Sequence, residues 1–93
     1  MLVQRMKNEQ LDIAFNKAVE SINGHTDPFP ADVLLKLYAY YKRATGNDDM
    51  PSGSKPLINA FKANALFQAR DLSQEEAKRL YIEAVDHYFL YRQ

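Results

Sequence analysis

An all-α fold of four helices is predicted by three features of these 93 residues. Apolar residues recur at helical spacing in four separate stretches. Glycine, proline and a serine-led capping signal punctuate the gaps between them. No stretch carries a competing strand signal, and no internal repeat is visible.

The first helix is predicted over about 9–23. Leu11, Phe15, Ala18, Val19 and Ile22 fall at i, i+4, i+7, i+8 and i+11, an amphipathic stripe. Asn23-Gly24 ends it, with Gly24 suited to the left-handed conformation common just past a helix. Residues 1–8 read as a flexible lead-in or an extra turn.

Residues 25–29 connect to a second helix over about 30–44. Pro30 suits a first turn, where a missing N–H is harmless, and Asp32 places negative charge near the positive end of the dipole. This helix holds the run Tyr38-Ala39-Tyr40-Tyr41-Lys42-Arg43-Ala44-Thr45. Leu34, Tyr38, Tyr41 and Thr45 share one narrow stripe with Lys42 on its flank, while Lys36 and Arg43 point elsewhere. A phenolic and apolar stripe edged by an ammonium suits a ligand with a flat ring and an anionic group. A packing stripe has the same spacing, and spacing by itself favours packing.

Residues 46–56 form a loop, with two glycines, two prolines and no apolar period. The third helix is predicted over about 57–69, with Ile58, Phe61, Ala65 and Leu66, and Lys62 beside Phe61. Ser73-Gln74-Glu75-Glu76 is a capping box, the best-defined boundary in the chain. It opens a fourth helix over about 74–91, with Ala77, Leu80, Tyr81, Ala84, Tyr88 and Tyr91 on one face.

Composition bounds the function. Lys+Arg and Asp+Glu are both 12, so the net charge is zero, without the basic excess usual for broad phosphate contact with nucleic acid. A small anionic ligand needs only a few local cations. No cysteine is present, so disulfides and thiolate metal sites are excluded. The apolar runs are too short for stable membrane insertion, and no secretory signal is seen, so the expected location is the cytoplasm. His25 and His87 lack partners at ligand spacing, and neither a nucleophile elbow nor a Gly-rich phosphate loop is present, so neither enzyme chemistry nor a metal is expected. A helix–turn–helix reading of residues 61–85 is weak, because its second helix would lead with Glu75 and Glu76 against phosphates.

The chain resembles a known family at several points. Phe15-Asn16-Lys17-Ala18, then Ala31-Asp32 leading to Leu35-Lys36-Leu37-Tyr38-Ala39-Tyr40-Tyr41-Lys42-Arg43-Ala44-Thr45-Gly46, then Ser73-Gln74-Glu75-Glu76-Ala77 and Tyr81-Ile82, look like the small, single-domain form of the acyl-CoA-binding protein family. The likeness extends from about Leu11 onward and is most specific at Tyr-x-x-Tyr-Lys-x-Ala-Thr. It implies one domain over 1–93, a four-helix bundle that is a monomer and a non-enzymatic carrier and buffer of medium- to long-chain acyl-CoA, with no further cofactor. By position, Tyr38, Tyr41, Lys42, Lys62 and Tyr81 match the family's contacts around the adenine and 3′-phosphate, and Leu34 and Leu35 match positions near the acyl chain. Tyr40 and Tyr88 are expected to serve packing.

The chain departs from the family's pattern at several of these places. Tryptophans usual after the helix-three lysine are replaced by Ala63 and Leu66, and a lysine late in helix one by Asn23. The loop is shorter, and helix three carries fewer cations. Phe67, one turn beyond Ala63, is the nearest aromatic in direction to stand in for the missing ring. The alternatives to the carrier are a helical protein-interaction module and, more weakly, a DNA-binding helix–turn–helix.

Overall fold

The computed structural model describes residues 8–47 and 55–91. Four helices account for most of them: α1 Asn8–Asn23, α2 Ala31–Thr45, α3 Pro56–Gln68 and α4 Gln74–Tyr91. Among the described residues there is no strand. The expected lead-in and the middle of the long loop lie outside the described residues, except that Asn8 is the first residue of α1.

Amphipathic patterning decides the core. Leu11, Phe15 and Ala18 of α1 meet Leu37 and Ala44 of α2 and Ala77, Tyr81, Ile82 and Val85 of α4. Helix α4 packs on both α1 and α2, whereas α3 joins the bundle chiefly through α2. No residue of α3 is buried, and its Leu57, Ile58, Phe61 and Phe67 remain exposed. Three helices thus build the core and the fourth leans on it, because α3 is apolar on several sides and has no single stripe to bury.

The helix ends show where local chemistry won. The capping box forms in full: the Ser73 N–H donates to Glu76 Oε1 at 3.0 Å, and the Glu76 N–H donates to Ser73 Oγ at 3.0 Å. These two bonds, and more weakly Arg79, hold the Glu76 carboxyl below its usual range despite a small opposing desolvation. Pro56 occupies the first turn of α3, where proline fits. Pro30 stands one position earlier than expected: it is the residue before α2, with φ −58° and ψ 147°.

Gly24 does not take the left-handed conformation. Among the described residues only Gly46 does, at φ 72°. After α1 the Gly24 N–H instead donates to Glu20 O at 2.9 Å and the His25 N–H to Ile22 O at 3.2 Å, which closes the helix with ordinary turns. At the end of α2 the Gly46 N–H donates to Arg43 O and the Asn47 N–H to Lys42 O, so the left-handed residue satisfies the last carbonyls. A Cβ on Gly46 would come within 2.7 Å of Gln74 Nε2 at the start of α4, which the flexible end of that side chain could relieve; the positive φ is what requires glycine there.

Arg43 adds a tertiary clamp. Its Nε donates to Leu72 O at 3.2 Å and its Nη2 donates to the same oxygen. This charge-assisted pair ties the end of α2 to the turn before α4. Asp12 and Lys78 pair at 2.6 Å and join α1 to α4 at the surface. His25 packs in the connector between α1 and α2 against Phe29, Tyr88 and Phe89, with its Nε2 3.9 Å from Asp27 Oδ2. It is therefore a packing residue with a carboxylate neighbour two positions along the connector.

Candidate functional site

The helices bring residues from all four elements to one face. On α2, Tyr38 and Tyr41 stand one turn apart, with Lys42 beside them. Lys42 Nζ lies 5.6 Å from the Tyr38 ring centroid, and Lys62 Nζ, from α3, lies 5.2 Å from the same centroid. Two ammoniums from separate helices therefore converge on one phenol ring. The ring's negative face favours both cations. Both bring positive charge to the same ring, which suits an anionic ligand.

Lys42, placed on the flank of the tyrosine stripe by its spacing, is a buried residue, 8% exposed. Its stem is sunk along the apolar side of α2 while its ammonium reaches the Tyr38 ring. The last turn of α2 also suits its charge, since the helix dipole is negative there.

Tyr41 belongs to a second cluster. Its ring stacks on Phe15 of α1 at 6.0 Å and approaches Tyr81 of α4 at 6.3 Å, and Phe15 meets Tyr81 edge-on at 5.1 Å. Phe15 and Tyr81 are buried, but Tyr41 is exposed. The cluster is thus a core wall that offers one ring to solvent. Tyr81 is chiefly core and Tyr41 chiefly surface, a division that helical spacing did not reveal. Burial pushes the Tyr81 phenol up to about 12, and the neighbouring Tyr41 adds to the shift.

The sign of that shift gives a prediction. A raised phenol favours the protonated native state, so the contribution is complete below the ordinary tyrosine value. It is lost as pH rises through about 12. Urea midpoints measured from neutral pH upward should fall over that alkaline window, and Tyr81→Phe should flatten the fall. An unchanged slope in the variant would place the titrating group elsewhere.

The apolar candidates behave as surface. Leu34 is exposed and Leu35 half-buried. Thr45, at the end of the stripe, spends its hydroxyl on its own helix, donating to Tyr41 O at 2.8 Å. Ala63 is half-buried beside the half-buried Lys62, while Phe67 is exposed under the Arg70 guanidinium, whose carbon lies 3.8 Å from the ring centroid. Phe67 therefore forms a surface cation–π pair with Arg70.

Sequence reasoning missed three contributors. Phe15 was read only as core, although it forms the wall behind Tyr41; its place in the quoted Phe-Asn-Lys-Ala segment was the available signal. The exposed Ile58 and Phe61 were placed on α3 with no role, and the lack of a single apolar stripe on that helix was the sign that they would stay at the surface. Among the described residues no group of three His, Cys, Asp or Glu side chains could hold a metal. No described helix is long and apolar enough to cross a membrane.

A family model described as acyl CoA binding protein matches residues 12–85. The chain belongs to that family. It is similar to the acyl-CoA-binding protein of Saccharomyces cerevisiae, 34% identical over 74 residues, which cover 77% of this chain and 85% of the yeast protein. No solved structure matches the chain significantly.

Proposed function

We propose that this single domain is a non-enzymatic, monomeric cytoplasmic carrier and buffer of medium- to long-chain acyl-CoA. The observation that carries the reading is the convergence of Lys42 and Lys62 on the Tyr38 ring. A CoA phosphate accepts charge-assisted hydrogen bonds from the two ammoniums. The adenine ring lies against the exposed Tyr41, whose flat body and polar tip suit a heteroaromatic ligand. Tyr81 supports that ring from the core. The acyl tail follows Leu34 and Leu35, and the exposed Ile58 and Phe61 of α3 extend the apolar surface on the helix packed against α2. Each methylene that leaves water contributes about 0.8 kcal/mol, so a surface groove suffices for a long chain.

The helix–turn–helix alternative meets an electrostatic obstacle. The start of α4 carries Glu75 and a Glu76 carboxyl held in its charged form by the capping box, and both would face the phosphates.

Two experiments test this reading. Amide shifts during titration with palmitoyl-CoA should move first at Tyr38, Tyr41, Lys42 and Lys62. Shifts confined to other surfaces would overturn the site. The second concerns the missing tryptophan: Ala63→Trp restores a wall of roughly 150–250 Å². Calorimetry with short, medium and long acyl-CoA should show tighter binding and a steeper dependence on chain length. No change across the series would mean that position 63 does not face the ligand.

A further inference from the structure

A groove of about 890 Å3 runs between α2 and α4. Its α2 wall is Val33, Lys36 and Tyr40, at i, i+3 and i+7. At about 100° per residue this stripe faces away from Leu34, Tyr38 and Tyr41, so the groove and the CoA site lie on different sides of α2. The α4 wall is Leu80, Ala84 and Tyr88, and Pro28 and Pro30 also line the groove. At its open end Leu90 is 71% exposed and Tyr91 66% exposed. Tyr40 and Tyr88, expected to serve mainly packing, also line a concave surface.

The rim is charged unevenly. Glu83 and Asp86 stand on the α4 side, and Lys36 stands on the α2 side. None of the three forms an ion pair among the described residues. The adjoining hollow adds Glu76 and an Arg79 that already pairs with Glu75 at 3.7 Å. The groove therefore combines an apolar, aromatic floor with one predominantly acidic edge.

We propose that this groove docks an amphipathic helix of a partner protein, carrying lysine or arginine along the edge that meets Glu83 and Asp86. Two walls lined at one-turn intervals accept a third helix that presents apolar side chains at i, i+3, i+4 and i+7. From Leu80 to Tyr91 the α4 wall is about 16 Å long, matching about three turns of such a helix. The acidic edge and the single opposing Lys36 fix which way round it lies. Docking here leaves the Tyr38–Tyr41 face open, so the partner can engage the protein with or without its ligand. The proposal does not depend on the acyl-CoA reading.

The test uses the full chain and two synthetic helical peptides of about 14 residues, sharing one leucine stripe and differing only in lysine or glutamate along one edge. Fluorescence anisotropy should show the lysine peptide binding at least about tenfold more tightly. The double substitution Glu83→Lys and Asp86→Lys, at the rim, should reverse that preference. Leu90→Ala with Tyr91→Ala should weaken both peptides, and saturating palmitoyl-CoA should change neither affinity. Loss of palmitoyl-CoA binding would leave these peptide results standing and would count only against the carrier reading. The proposal is overturned if the two peptides bind alike, if neither binds, or if charge reversal has no effect. Concentration-dependent dimerisation abolished by the same reversal would also overturn it, by assigning the groove to a second copy of the chain.

Discussion

Replacing Phe15 by alanine is expected to cost about 3–5 kcal/mol of folding stability. The side chain is 5% exposed and touches both tyrosines of the aromatic wall, Tyr81 at 5.1 Å and Tyr41 at 6.0 Å. Its loss opens a cavity where α1, α2 and α4 meet, and two favourable ring contacts vanish with it. Domains of this size carry a total stability of about 5–15 kcal/mol, so this one substitution removes a large share of it. Urea unfolding at neutral pH measures the effect. A loss below about 1 kcal/mol would mean that the core closes over the gap, and Phe15 would not be the support of the site. The protein that remains folded should also bind acyl-CoA more weakly, because Tyr41 has lost the ring it stacks on.

The second large effect concerns the ligand. Lys42→Ala should weaken binding of an acyl-CoA ester by about 1.5–3 kcal/mol, the range for hydrogen bonds to charged groups. That is a change in affinity of roughly ten- to hundredfold. Because Lys42 is buried, some of any effect on stability arises from its stem. Lys42→Met keeps much of that stem and removes the charge, so it should retain more stability than alanine while losing the same affinity. If Lys42 and Lys62 hold the 3′-phosphate, esters of dephospho-CoA should be nearly indifferent to either substitution. Equal losses with both ligands would show that this pair does not read that phosphate.

Much of the fold was legible because each boundary had a local cause. The capping box at Ser73 set the start of α4 at Gln74, and a period-3.6 stripe placed α1; on α4 the stripe read from sequence contains the buried Ala77 and Tyr81, but Ile82 and Val85 beside it are buried and Tyr91 is exposed. What could not be read was how deeply each face would sink. Tyr38, Tyr41 and Tyr81 look alike in sequence, yet one is half-buried between two ammoniums, one exposed and one buried in the core. That division depends on where α1 and α4 cross α2, which is tertiary information. The same holds for Lys42, whose flank position on α2 was legible but whose burial in the bundle was not. The turns around Gly24 and Gly46 differ for a related reason. Both glycines follow helices, but only Gly46 adopts the left-handed conformation, which lets the Asn47 N–H reach back to Lys42 O.

The most direct test of the carrier reading is calorimetry of the unmodified protein with palmitoyl-CoA, with free CoA and palmitate as separate titrants. The account predicts micromolar or tighter binding of the thioester, weaker binding of either half, and recovery of the ester intact after incubation. Absence of heat and of chemical-shift change with palmitoyl-CoA, or binding of palmitate as tight as that of the thioester, would contradict it.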